Sequence, residues 1–178
     1  MKFFTTSLFI LSCVFLLSSC EFSCSVGDKD KSTATTTFSE DQPRIYNKIM
    51  IEAKKLKVQK AYLVLDDGTA VPENNGVDFK NPVKMIVKID SGWTEKEGKV
   101  WIGASEKIMS ENGTVLLDKP DLFTENTGVT PEDAKTISLS ATIRVREGAP
   151  PTSFTVSFRI WDKNGEGQIE GSYKLYTK

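Results

Sequence analysis

The chain contains no histidine, and that absence narrows its possible chemistry before any other feature is weighed. Without an imidazole there is no Ser-His-Asp or Cys-His nucleophile pair, and no side chain whose ordinary pKa suits a general base near neutrality. SxxK and GxSxG are also missing. The acids are scattered over turn-like and strand-like stretches, where solvated carboxylates normally lie. A hydrolase working through two carboxylates across one cleft therefore stands as an alternative, and the chain reads as non-catalytic. The three cysteines, Cys13, Cys20 and Cys24, have no histidine to complete a Cys/His zinc site. No cofactor is expected.

Two groups of residues remain that could bind something. The first is Asp162-Lys-Asn164-Gly-Glu166-Gly-Gln-Ile169. It resembles the first eight positions of an EF-hand loop, with oxygen ligands at 1, 3 and 5, Gly at 6 and Ile at 8. The match then fails, because position 12 is Tyr173 instead of a bidentate Glu and the flanks read as strands. Asp162, Asn164 and Glu166 are thus a weak Ca²⁺ candidate beside a plainer reading. In that reading the stretch is a hairpin turn in which Asn164-Gly165 supplies positive φ angles. The second group is aromatic. If Val100, Ile102 and Ala104 face a core, Trp101 faces out; if Phe154, Val156, Phe158 and Ile160 face a core, Trp161 faces out with Arg159, Thr155 and Ser157. Two outward Trp would make a stacking platform for sugar rings. The alternative is that another element covers them.

The cysteines point elsewhere. The chain starts MKFFTTSLFILSCVFLLSSC: a basic head at Lys2, then an uncharged apolar run over residues 8–17. That run falls short of the ~20 apolar residues a spanning helix needs and has the form of a secretory signal peptide. It ends Leu17-Ser18-Ser19-Cys20, which resembles the lipobox of bacterial lipoproteins. The resemblance implies cleavage before Cys20, a diacylglycerol on its sulfur, and anchoring to a bacterial envelope membrane (the outer membrane in a Gram-negative cell). Cys13 would leave with the signal peptide, and Cys24 would remain as a single thiol near the anchor. The expected layout is a signal peptide at 1–19, a lipidated Cys20 with a small, polar tether over 20–40, and one domain over 41–178. Lys+Arg number 23 against 24 Asp+Glu, a net charge of −1 with no basic stripe, so nucleic acid is not an expected partner. The expected partners are the membrane, through the anchor, and an envelope protein or glycan.

The elements that must position these residues change period along the domain. Ser39–Gln42 fits a capping box ahead of Pro43, and Ile45, Ile49, Ala53 and Leu56 recur at near-helical spacing. These predict a helix over 41–56, which would also supply a cover for the Trp face. Beyond it the period is two. Residues 136–146 and 153–161 alternate cleanly, and 57–65, 83–89, 99–104, 114–117 and 168–176 do so more weakly. Asp67-Gly68, Asn112-Gly113 and Asn164-Gly165 punctuate them. Residues 118–135 read as a long connection with one helical turn at 131–134. About seven short strands with turns between them predict a mainly β domain, an antiparallel β-sandwich of immunoglobulin-like architecture with one N-terminal helix.

Overall fold

The computed structural model describes residues 42–125 and 127–178. The expected signal peptide, Cys20, Cys24, the expected tether and residues 39–41 of the expected capping box lie outside the described residues. Within them the protein is almost entirely β. The strands are β1 (Arg44–Ile45), β2 (Met50–Lys54), β3 (Lys57–Leu65), β4 (Gly76–Val77), β5 (Val83–Ser91), β6 (Ile102–Ser110), β7 (Val115–Lys119), β8 (Thr136–Ala141), β9 (Ser153–Asp162) and β10 (Gln168–Thr177). A single 3-10 turn, Asp133–Lys135, sits before β8. Four strands in the order β1-β3-β5-β8 form sheet I. Sheet II runs β2-β10-β9-β6-β7, with β4 added beside β10.

The two sheets share one apolar core. Alternation along each strand delivers it: Ala61 and Leu63 from β3, Val83, Met85, Val87 and Ile89 from β5, and Ile137 and Leu139 from β8 meet Ile102, Ala104 and Ile108 from β6. Phe154, Val156, Phe158 and Ile160 from β9 and Ile169, Tyr173 and Leu175 from β10 complete it. A side chain that alternates with these points to solvent, so each sheet has one outer face. Strand β3 matches its expected span, while β5, β9 and β10 run one or two residues further. Strand β6 begins later than expected, at Ile102, because Val100 pairs instead with Val129 of the connection. Strand β8 ends at Ala141, although burial keeps alternating through Ile143 and Val145.

No helix occupies residues 42–56. Strand β1 lies parallel to β3 on sheet I, and β2 lies antiparallel to β10 on sheet II, so the chain crosses between sheets in the few residues between them. The crossing is made at Asn47 and Lys48, both in the left-handed region with φ of 55° and 50°. Ile45 and Ile49 reach the core from the strand and the turn, and Ala53 is exposed. The i, i+4 recurrence of apolar residues was therefore coincident with two short strands. Ile, Tyr and the left-handed Asn47 all fit that outcome better than a helix interior.

The crossing is locked by a buried amide pair. Asn47 Nδ2 donates to the carbonyls of Val71 and Pro72 and to Asn75 Oδ1 (3.0, 3.2 and 3.1 Å), while Asn47 Oδ1 accepts from Leu63 N at 2.9 Å. Asn75 Nδ2 in turn donates to the carbonyls of Asn47 and Lys174 at 2.7 and 2.8 Å. These two side chains replace the ladder bonds that a strand switching sheets must give up, as buried backbone groups require.

Candidate ligand-binding face

The outer face of sheet II carries a shallow trough of about 590 Å³ that crosses five strands at mid-length. Register explains its make-up. Glu52, Glu170, Arg159 and Ser105 lie in one cross-strand row, and Met50, Ser172, Ser157, Lys107 and Asp118 in the next. Three serines pave the middle of this floor, and small side chains on adjacent strands leave the depression. Its charges are interleaved: Arg159 Nε lies 3.2 Å from Glu170, and Lys107 Nζ lies 3.8 Å from Asp118.

Trp161 occupies the next row, opposite Gly103 on β6 and Gln168 on β10. Its indole lies over Gly103, in the space a Cβ there would need. Only glycine permits this, because any side chain would lift the ring from the sheet. Arg159, whose Nη2 donates to Gln168 at 2.8 Å, sits 5.4 Å from the centre of the same ring. Trp161 is half-buried and stands one row beyond the residues that line the trough. The expected outward placement of Trp161 and Arg159 is therefore seen, and both stand on one face.

Trp101 has a different setting. It precedes β6, is half-buried, and packs close to Gly128 of the long connection. That connection is tied down by Asp121, which takes the Phe123 amide at 2.8 Å and pairs with Lys163 at 2.7 Å. Burial alone would raise the Asp121 pKa; the Lys163 ammonium and the two backbone amides outweigh it and hold it low. The packing on Trp101 comes from Gly128 of the connection and not from a helix, and no helical Ile45, Ile49 or Ala53 face exists to lie over either ring.

The hairpin 162–167 uses its residues structurally. Asp162 is buried; one oxygen accepts from Thr94 N at 2.6 Å and the other from Asn164 N at 2.9 Å. Glu166 is exposed and pairs with Lys55 at 2.9 Å. Asp162 is thus taken up by backbone amides, that of Asn164 among them, and Glu166 by Lys55, and among the described residues no group of three or more His, Cys, Asp or Glu side chains is placed to hold a metal. Gly165 does not have a positive φ. It is required because a side chain there would strike the Asp162 carboxylate and Thr94.

Beneath the trough, on the inner face of β6, lies a residue that sequence alternation had concealed. Glu106 points into the core with 2% of its surface exposed, and its Oε1 has no hydrogen-bond partner. Burial pushes its pKa up to about 7. The Tyr173 hydroxyl is also buried and unpartnered, and desolvation, reinforced by Glu106, raises its pKa far above the usual phenol value. The signal was present in the pattern Ile102-x-Ala104-x-Glu106-x-Ile108, where a carboxylate takes a core position.

No family model matches the chain, and no curated protein matches it. Among solved structures the chain is similar to the crystal structure of the C-terminal domain of wzt, at 14% identity over 79% of this chain and 87% of that one, with a TM-score of 0.46. A likeness of this degree says nothing of what the present chain binds.

Proposed function

We propose that this protein is a non-catalytic binding module of a bacterial cell envelope, held at the membrane through acylated Cys20, whose sheet II face takes a glycan. The observation that carries the glycan reading is Trp161 lying over Gly103 in the row next to a serine-lined trough. An aromatic ring fixed against a sheet offers one face to the C–H surface of a sugar. Arg159, Gln168, Ser157, Ser172 and Ser105 stand within the adjoining rows to bond its hydroxyls. One such ring contributes on the order of 1 kcal/mol beyond its buried area, so the affinity belongs in the millimolar to micromolar range.

Titration of a panel of neutral oligosaccharides against the full chain and its Trp161→Ala variant tests this reading. Binding by at least one sugar, lost in Trp161→Ala and kept in Trp101→Ala, is the expected result. Equal binding by Trp161→Ala, or none by the parent, overturns it. The anchor has its own test. Cys20→Ala should abolish incorporation of labelled fatty acid, and retained label rules that site out.

The hydrolase alternative has one observation in its favour: Glu52 and Glu170 are direct cross-strand partners inside the trough. Both are exposed, and Glu170 is engaged by Arg159, whereas a general acid needs a desolvated carboxyl. Loss of any sugar hydrolysis in Glu52→Gln would favour that alternative.

A further inference from the structure

The outer face of sheet I poses a separate question. Arg44, Lys60 and Lys88 are direct partners across β1, β3 and β5, so their side chains leave the same face in one row. Neighbouring strands are about 4.8 Å apart, and like charges directly opposite each other destabilise a sheet. Among the described residues none of the three has an acidic partner. Asp66 and Asp90, next to β3 and on β5, are already engaged, Asp66 by Lys84 at 2.6 Å and Asp90 by Lys57 at 3.6 Å. Folding alone gives no reason to line up three cations, and the arrangement is explained if something anionic lies along them.

The rows beside the cations describe that anion. Next to Arg44–Lys60–Lys88 runs a row of Tyr62 and Ile86, with Tyr46 one residue beyond β1. Lys60 Nζ lies 4.6 Å from the Tyr62 ring centre and 5.3 Å from that of Tyr46, which fixes all three on one face. Each row ends on a hydroxyl of β8: Thr136 beside Lys88, Ser138 beside Ile86, Ser140 beside Lys84. Lys88 Nζ already donates to Thr136 Oγ1 at 2.8 Å. Cations, ring faces and hydroxyls in parallel rows are the complements of carboxylates, sugar C–H faces and sugar hydroxyls. We infer that sheet I binds an acidic polysaccharide, lying across the strands with its carboxylates on Arg44, Lys60 and Lys88.

Two other anionic partners fit less well. A bilayer would favour several protruding apolar side chains beside the cations, yet Tyr62 and Ile86 are half-buried and, of the three, Tyr46 alone is exposed. A nucleic acid calls for a wider basic surface than three cations on a chain of net charge −1. The inference concerns a different sheet from the trough and stands independently of the glycan reading given above.

The test is titration of the full chain with a hexameric oligogalacturonate, with cellohexaose as the neutral control. Binding of the acidic oligomer, weakening with added salt, and little or no binding of the neutral one are expected. In the triple variant Arg44→Gln/Lys60→Gln/Lys88→Gln the affinity should fall about tenfold, the sum of three exposed charge contacts. Lys119→Gln, exposed on β7 of the other sheet and outside the trough, should bind the acidic oligomer as the parent does. If the triple variant fails to fold, Lys88→Gln alone should show a shallower salt dependence than the parent. Unchanged affinity in these variants overturns the inference. So does stronger binding to phosphatidylglycerol vesicles or to single-stranded oligothymidylate than to the oligogalacturonate.

Discussion

On the outer face of sheet II the cations in the trough stand beside acids, Arg159 with Glu170 and Lys107 with Asp118. On sheet I, Arg44, Lys60 and Lys88 stand beside one another instead. Both surfaces are made the same way, from the outward half of an alternating pattern around a shared core. The difference is therefore not one the core imposes. In the trough each cation has an acid beside it, and the distinguishing feature of that face is shape: a trough and a ring laid on glycine. In the row Arg44–Lys60–Lys88 no acid intervenes, and the distinguishing feature of that row is the field it projects.

The comparison rests on which side chains are inward, and the largest expected effect tests that. Phe158 is buried on β9, 6.5 Å between ring centres from Tyr173. Phe158→Ala should cost ~3–5 kcal/mol in chemical denaturation, as large core truncations do. Trp161→Ala, three residues on and facing out, should cost much less while removing sugar binding. If the two costs were reversed, the inner and outer faces would be exchanged and the trough would not be a surface.

Glu106 sharpens the same boundary through pH. Its carboxyl titrates at about 7 in the fold against 4.5 unpaired. A raised pKa means the folded state holds its proton more tightly. The stability from the neutral form is thus full below about 4.5, declines as pH rises, and is gone above about 7. Across that window the loss is roughly 3 kcal/mol. Denaturation at pH 5 and pH 8 should show the parent weaker at pH 8 and Glu106→Gln nearly level. A parent whose stability does not fall over this interval would place Glu106 in contact with water, and with it the floor of the trough.

Much of this architecture was legible in the sequence where periodicity is long and pure. Residues 153–161 alternate over nine positions and form a strand with the expected inner face, and the weaker pattern of 57–65 is also a strand. Residues 42–56 were misread because two short strands and a turn, serving different sheets, put Ile45, Ile49 and Leu56 at helical spacing by accident. What decides there is long-range pairing with β3 and β10, which no local pattern reports. The outward placement of Trp161 and Arg159 was legible, since alternation alone gives it. The trough was not, because it depends on Ser105, Ser157 and Ser172 being neighbours across three strands. The basic row was equally hidden, as Arg44, Lys60 and Lys88 are far apart in sequence and meet only through register. Asn47 and Asn75 escaped notice for the same reason.

Glycine 103 gives a sharper test of the trough than truncating the tryptophan. Gly103→Ala would place a methyl where the Trp161 ring now lies. The indole would have to swing out toward solvent, so sugar affinity should fall while the ring itself remains. Its fluorescence should shift to the red and quench more readily with acrylamide. Trp93, whose Nε1 donates to the Ala134 carbonyl, and Trp101 must be replaced by Phe for a clean signal. An unchanged emission would mean that Trp161 does not lie over Gly103, and the shape-based half of the comparison would fail.

The smallest effect concerns sheet I and has an unusual sign. Removing a charge from a surface is normally neutral to within about 0.5 kcal/mol, but cations aligned across strands repel. Lys60→Gln would also discard the contacts with Tyr46 and Tyr62, which complicates its reading. Lys88→Gln keeps a donor for Thr136 and removes only the charge between Lys60 and the hydroxyl row. Its thermal midpoint should equal or slightly exceed the parent's at low salt, by no more than the few degrees that ~1 kcal/mol gives a domain of this size. Added salt should erase the gain, since exposed charges are screened over about 10 Å at 0.1 M. Lys107→Gln on sheet II, which breaks a pairing with Asp118, should move the other way or not at all. A drop in stability for Lys88→Gln would show the row to be balanced within the fold. Sheet I would then need no partner, and the two faces would differ in shape only.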